Sequence, residues 1–167
     1  MKQIKDIKNK IERQKYYNPE FDWTDDSFYI DNTLSEEFIR EFQDKVNWEY
    51  ISRYQTLSKD FIKKFKNHVD WWYISWCQKL SEEFIREFQD KVDWEYISSY
   101  QKLSEEFIKE FQNKINWYCI SVCQKLSEDF IREFKDKVYW KNIFKYQKLS
   151  EEFKKEFKEV YTFYEAV

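Results

Sequence analysis

Residues 34–56 read LSEEFIREFQDKVNWEYISRYQT, and this stretch recurs along the chain with a period of 23 residues. Residues 80–102, LSEEFIREFQDKVDWEYISSYQK, differ from it at only three positions. A fixed period of about 20–50 residues is typical of architectures in which similar units stack on one another. The repeats begin at Leu34, Leu57, Leu80, Leu103 and Leu126, and a truncated sixth repeat begins at Leu149.

The first half of each repeat predicts a helix. Ser35 is a favourable N-cap residue, and Glu36 and Glu37 follow it in the first turn, where negative charge suits the helix dipole. An apolar stripe at helical spacing comes next, formed by Phe38, Ile39, Phe42 and Val46. The opposite face carries charged residues, namely Arg40, Glu41, Asp44 and Lys45.

The second half of each repeat predicts another helix. It begins after Asn47, whose equivalents are Asp70, Asp93 and Asn116, all strong N-cap residues; only Tyr139 departs from this rule. Trp48, Ile51 and Tyr54 are expected to face inward. Apolar residues before each cap are expected to pack on the new helix, Leu34 on Ile39 and Val46 on Ile51. Caps of this kind allow a chain without glycine to turn often.

These patterns predict an all-α protein, an α-solenoid of two-helix repeats with capping helices at both ends, forming one continuous domain. Residues 1–33 are expected to hold an amphipathic helix from Met1 to about Tyr17, stopped by Pro19, and a degenerate second helix carrying Trp23. Five repeats fill residues 34–148, and residues 149–167 form a truncated capping repeat in which Lys154 replaces the usual isoleucine. A globular helical bundle is the alternative architecture, but constant spacing favours a regular stack.

Composition narrows the class of protein. The 29 lysines and arginines and 32 acidic residues give a formal charge of −3, which argues against a general electrostatic nucleic-acid binder. Aromatic residues make up 22% of the chain, so a packed core is expected. The first ten residues contain lysines and no apolar stretch, so neither a secretory signal nor a membrane span is expected. Three cysteines fit a reducing compartment, and an intracellular location is expected.

The residues able to carry chemistry are few. The single histidine, His68, replaces a lysine of the charged face and is expected to be solvated. Cys119 and Cys123 lie four residues apart and could form half of a zinc site, but they stand where other repeats have tyrosine, and so does Cys77. First-turn glutamates have a sufficient structural role. We therefore expect no enzyme activity, no cofactor and no metal.

Two positions of the second helix change class from repeat to repeat while most others stay nearly constant. They are four residues apart and form one patch per repeat. Their side chains define the candidate partner-binding face, with surface drift as the alternative explanation: Glu49 and Arg53, Trp72 and Trp76, Glu95 and Ser99, Tyr118 and Val122, Lys141 and Lys145. The constant tryptophans, by contrast, are expected to form a core ladder: Trp48, Trp71, Trp94, Trp117 and Trp140.

The motif LSEEFIREF…W…IS.YQKLS, read over Leu34 to Ser150, resembles short helical repeats in proteins of giant nucleocytoplasmic DNA viruses, the mimivirus relatives. The resemblance implies a viral origin and expression in the host cytoplasm or presence in the virion, and it implies no particular activity. A non-catalytic scaffold that binds a host or viral protein is the favoured function. Nucleic-acid binding, through Lys141, Lys145 and the basic N-terminal segment, and self-association as a structural protein are the alternatives.

Overall fold

A computed structural model of the chain describes residues 22–165, together with Asp6 and Asn9. Residues 22–165 are all-α, with thirteen helices and no β-strand, so the predicted fold class is confirmed. Asp6 and Asn9 are helical and exposed. The rest of the predicted N-terminal capping helix, and Pro19 after it, lie outside the described residues.

The helices alternate between a shorter first helix and a longer second helix in each repeat. In chain order they are α1 Asp26–Asp31, α2 Glu36–Glu41, α3 Trp48–Tyr54, α4 Lys59–Lys64, α5 Trp71–Cys77, α6 Glu82–Glu87, α7 Trp94–Tyr100, α8 Glu105–Glu110, α9 Trp117–Cys123, α10 Glu128–Glu133, α11 Trp140–Tyr146, α12 Glu151–Glu156 and α13 Lys158–Glu165.

The chain divides into two compact units, Met1–Gln78 and Lys79–Val167. In unit 1, the second helices pack side by side, α1 on α3 and α3 on α5. In unit 2, α7 packs on α9, α9 on α11, and α11 on α13. Each unit is therefore a short α-solenoid. The second helix of each repeat contacts the second helix of the adjacent repeat in the same unit.

The predicted N-caps are confirmed. The Ser35 hydroxyl accepts a hydrogen bond from the Phe38 N–H, and the Asn47 carboxamide accepts from the N–H groups of Glu49 and Tyr50. The same bonds recur at the equivalent caps of later repeats. Tyr139 makes no side-chain cap bond. Local sequence therefore determines where nearly every helix begins.

The first helix is shorter than its apolar stripe suggested. It ends at Glu41, and Phe42 leaves the helical conformation with φ −109° and ψ 23°. A turn follows, in which the N–H groups of Lys45 and Val46 donate to the Phe42 carbonyl over 2.8 and 3.0 Å. Placing Lys45 on a helix face was therefore wrong. The early end has a physical reason, since the turn buries Val46 immediately before the extended cap of the second helix.

The inward-facing residues of the second helix also differ from expectation. Ile51 is fully buried as predicted, but Trp48 and Tyr54 are only half-buried, and the fully buried neighbour of Ile51 is Ser52. Gln55 is buried as well. A tyrosine at the Tyr54 position lies on the rim, and Tyr100, its equivalent two repeats later, is 59% exposed. Polar side chains occupy the interior because backbone groups there need partners.

A buried glutamine at the end of each second helix joins three chain segments. Gln124 Nε2 donates to the carbonyls of Ser98 and Gln101 in the preceding second helix, both over 2.9 Å. Its Oε1 accepts from the Leu103 N–H over 3.2 Å, at the start of its own repeat. Gln55 makes the same three bonds in unit 1. The glutamine thus fixes the register between adjacent repeats.

A buried serine supplies the second link between repeats. Ser98 Oγ donates to the Trp94 carbonyl over 2.6 Å and accepts from the Asn116 N–H, the next N-cap residue, over 2.9 Å. These serines and glutamines, one pair in each of four consecutive repeats, are called the polar ladder hereafter: Ser52 and Gln55, Ser75 and Gln78, Ser98 and Gln101, Ser121 and Gln124.

The polar ladder is modified in the outer repeats. Tyr29 replaces the serine before the first repeat, and its hydroxyl accepts from the Asn47 N–H over 2.8 Å and donates to the Trp23 carbonyl over 2.9 Å. Burial raises the pKa of this phenol. Trp23 precedes α1 and packs on Phe42, so the predicted degenerate second helix is present but Trp23 lies outside it. In the fifth repeat Phe144 replaces the serine, and no cap turn separates α12 from α13.

The first helices are linked by carboxylates. Glu82 Oε1 accepts from the Ser104 N–H over 2.6 Å, and Glu105 Oε1 accepts from the Ser127 N–H over the same distance. The guanidinium of Arg86 pairs with Glu110 over 2.8 Å. Glu82 and Glu105 therefore join their repeats to the next one as well as suiting their own helix dipole.

The N-cap bonds predict that replacing two neighbouring aspartates lowers the free energy of unfolding to different extents. Asp93→Ala removes the cap that bonds the N–H groups of Glu95 and Tyr96, and we expect it to lower the free energy of unfolding by about 0.5–2 kcal/mol. Asp90→Ala removes only an exposed ion pair with Lys114, and we expect a loss below about 0.5 kcal/mol. Urea unfolding followed by circular dichroism measures both, and equal losses would refute the assigned cap.

The polar ladder predicts that a buried glutamine contributes more to stability than an exposed one. Gln124→Ala leaves the Leu103 N–H and two buried carbonyls without their partner, and we expect a loss of at least about 1–3 kcal/mol. The control is Gln43→Ala. The Gln43 side chain is exposed, and the hydrogen bond from Trp48 Nε1 goes to the Gln43 backbone carbonyl, which the substitution keeps. We expect the control to change stability by less than about 0.5 kcal/mol. A Gln124→Ala variant as stable as the control would contradict the ladder.

Candidate functional site

His68 has a packing role. It is exposed as predicted, but it lies in the turn after α4 and not on a helix face. Its ring centroid is 5.2 Å from that of Trp48 and 5.9 Å from that of Phe65. In later repeats a lysine occupies this place, and Lys114 Nζ lies 5.8 Å from the Trp94 ring. The histidine therefore covers a tryptophan of the preceding repeat, as that lysine does.

The cysteines share no built site. Cysteines in place of tyrosines would be expected at buried or half-buried positions; Cys119 is buried, but Cys77 and Cys123 are exposed, so that expectation is wrong for these two. Partial desolvation raises the pKa of both the Cys77 and the Cys123 thiols, and Cys119 adds to the effect on Cys123. Among the residues that the structure describes, no group of three or more His, Cys, Asp or Glu side chains could hold a metal ion.

The constant tryptophans pack between repeats. The ring of Trp94 lies 4.9 Å from that of Phe111 in the next repeat, and the ring of Trp117 lies 5.2 Å from that of Phe134. Each indole N–H donates to a carbonyl five residues earlier, as from Trp94 to Gln89. The tryptophans are half-buried. Their predicted packing role is confirmed, although they form the edge of the core and not its centre.

None of the ten variable side chains is buried. Seven are exposed: Glu49, Arg53, Trp72, Glu95, Tyr118, Lys141 and Lys145. Three are half-buried: Trp76, Ser99 and Val122. The structure thus places the variation on the accessible side of the second helices, while the constant isoleucine, serine and glutamine lie in the interior.

Sequence reasoning missed the residues beside these pairs. The residue that follows each variable position is also accessible in most repeats and is usually aromatic or cysteine. The variable pairs and their accessible neighbours together form what we call the second-helix face: the ten residues above with Tyr50, Tyr54, Tyr73, Cys77, Tyr96, Tyr100, Cys123 and Tyr146. At the same positions of other repeats, Cys119 and Asn142 are buried. Replacement of tyrosine by cysteine or asparagine at these positions could have identified them in the sequence as further variable positions.

An aromatic cluster marks the second-helix face of unit 1. The Trp72 ring meets Trp76 edge to face at 5.0 Å and Tyr73 at 4.6 Å. The Tyr73 hydroxyl donates to Glu49 over 3.3 Å, and the Arg53 guanidinium lies 5.4 Å from the Tyr73 ring centre. Two tryptophans at variable positions would be expected to be largely exposed, but Trp72 is only 39% exposed and Trp76 is half-buried. The rings form a packed cluster with one accessible edge.

The second-helix face of unit 2 presents tyrosines and lysines. Tyr118 is 53% exposed and meets the exposed Tyr139 edge to face at 5.4 Å. Tyr96 and Tyr100 stack with their ring centroids 5.9 Å apart. The Lys145 ammonium lies 5.1 Å from the centre of the Tyr146 ring. This surface is amphipathic and is held by contacts among its own side chains.

In the described part of the chain, no helix has the length and apolar character needed to cross a bilayer.

Comparison of the chain with protein-family models, with curated proteins and with solved structures found no match in any of the three.

Proposed function

We propose that this chain is a non-catalytic repeat scaffold that binds a protein partner through its second-helix face. The observation that carries the proposal is the separation of constant from variable residues within one helix. In α7, Ile97 and Ser98 are fully buried and serve the stack, whereas Glu95 is exposed and changes class between repeats. Helical repeat proteins commonly bind through an extended surface of this kind on a constant framework.

The aromatic cluster of unit 1 supports a protein ligand. Tryptophan and tyrosine are enriched at the energetically dominant positions of protein interfaces, because they bury much area at a small cost in side-chain entropy. Trp72, Tyr73 and Trp76 are already held by mutual ring contacts, so little further ordering would be needed on binding. The cluster is therefore a candidate anchor for the interface.

A nucleic-acid ligand is less well supported. Among the variable pairs, cations occur at Arg53, Lys141 and Lys145, and anions at Glu49 and Glu95. Arg53 lies against the Tyr54 and Tyr73 rings of its own chain. A phosphate backbone requires a track of cations, and a mixed surface of this kind does not supply one in unit 1.

The test replaces Trp72 by Glu and Trp76 by Arg, the residues at the equivalent positions of the first repeat. Because that repeat accommodates Glu49 and Arg53, we expect the folded state to persist with a midpoint of thermal unfolding only a few degrees lower, roughly 1–2 kcal/mol. Immobilised chain is then incubated with host lysate supplemented with untagged chain, and the retained proteins are identified by mass spectrometry. We expect the double variant to lose the retained partner.

The matched control is Lys59→Glu with Lys63→Glu, two exposed positions on the first helix α4. It lowers the net charge by four, whereas the tryptophan variant leaves the net charge unchanged, but it does not alter the second-helix face, so its retained proteins are expected to match those of the parent chain. A tryptophan variant that unfolds, or one that retains the same proteins as the control, would contradict the proposal.

A further inference from the structure

The second-helix faces of the two units carry opposite charge. In unit 1, α1 packs beside α3 and adds Asp26 and Asp31 to this face, at the positions equivalent to Glu49 and Tyr54. The carboxylates of Asp26, Asp31 and Glu49 are all exposed. The cation of this face, Arg53, lies against the rings of Tyr54 and Tyr73. The second-helix face of unit 1, together with α1, is therefore acidic and aromatic.

The second-helix face of unit 2 is basic. Its second-helix face carries Lys141 and Lys145 against the single carboxylate of Glu95, and a lysine follows the C-cap of each second helix. All of these lysines are exposed: Lys102, Lys125, Lys141, Lys145 and Lys148. Two lysines of the first-helix layer, in contrast, pair with carboxylates of their own unit, Lys109 with Glu133 and Lys114 with Asp90.

Two of these charges are disfavoured by their own helices. Asp31 is the last residue of α1, where negative charge opposes the helix dipole. Lys141 lies in the first turn of α11, where positive charge opposes it, and α11 is also the helix whose N-cap residue, Tyr139, makes no cap bond. Residues that local structure disfavours are expected where a site has another use for them. Asp31 and Lys141 thus carry opposite charge, and one lies on each unit.

Both surfaces also expose apolar area beside their charges. In unit 1, Ile30 is 56% exposed next to Asp31, and Trp72 is exposed in the aromatic cluster. In unit 2, Tyr118 and Tyr139 are about half exposed, and Tyr146 lies one residue from Lys145. An apolar contact with charged residues around it is the usual composition of a specific protein interface.

We propose that the partner of the second-helix face is a second copy of this chain, with the acidic face of unit 1 docked on the basic face of unit 2 of the other copy. This inference rests on the proposed function and names its partner. Both complementary surfaces lie on the same chain, so they are always present at equal concentration. Carboxylates on one surface and ammonium groups on the other set the pairing and speed the encounter.

Two charge-reversed variants test the pairing. Variant A carries Lys141→Glu, Lys145→Glu and Lys148→Glu, so that both of its faces are acidic. Variant B carries Asp26→Lys, Asp31→Lys and Glu49→Lys, so that both of its faces are basic. Sedimentation velocity over a range of concentrations measures self-association, and circular dichroism verifies that each variant is helical. If variant A is not folded, the three lysines are replaced by glutamine instead.

We expect the parent chain to self-associate, and each variant alone to associate at least about tenfold more weakly, which corresponds to about 1.4 kcal/mol. An equimolar mixture of A and B restores association, because the acidic face of one then meets the basic face of the other in both directions. Association of the parent is expected to weaken as salt is raised, since exposed charges are screened. The control reverses three exposed acids of the first-helix layer, Glu106→Lys, Asp136→Lys and Glu152→Lys, and is expected to associate like the parent.

Several outcomes would overturn the inference. These are a parent chain that stays monomeric at its highest soluble concentration, variants that associate as tightly as the parent, and a mixture that gains nothing over its components. If a different protein is nevertheless retained by the parent and lost on replacing Trp72 and Trp76, the proposed function stands and only the identity of its partner is wrong.

Discussion

The buried polar ladder is the constraint on which the rest of this structure depends. Each helix is only one or two turns long, so helix propensity alone cannot hold it. The turns between helices leave backbone groups in the interior, and these groups must be satisfied there. Gln124 and Ser98 satisfy five of them in adjacent repeats, and the same side chains set the repeat spacing. None of the described residues has a positive φ, so the chain turns through extended cap residues instead of glycine.

The sequence predicted the local features of the fold well, because their causes lie within a few residues. Ser35 and Asn47 bond N–H groups two or three residues ahead, and such bonds can be inferred from residue type and spacing. The polar ladder escaped prediction because its partners lie 18 to 26 residues away. A serine and a glutamine in a charged sequence are typical of solvent-exposed positions, and only packing shows that Ser98 and Gln101 are buried.

The candidate site was predicted in position but not in composition. Variation between repeats located the pairs such as Glu49 and Arg53, and these are exposed. The same reasoning placed Tyr54 in the core, because an aromatic residue at helical spacing from Ile51 is usually buried. Ser52 and Gln55 occupy that interior instead, and Tyr54 and its equivalent Tyr100 therefore belong to the accessible face. Since the contacts that maintain the stack lie elsewhere, in the polar ladder, the core and the first helices, the residues of this face are able to vary without loss of the fold, and a binding surface can be built on them.

Amide hydrogen exchange, measured by NMR, shows whether side chains of the polar ladder bond buried backbone groups outside the helices. The N–H groups of Leu103 and Asn116 are not bonded within a helix, and the structure gives them to Gln124 and Ser98. The account predicts that both exchange as slowly as the N–H of Ile120, which is bonded to the Asn116 carbonyl in the core. Exchange of Leu103 and Asn116 at the rate of solvent-exposed amides, with Ile120 still protected, would contradict it.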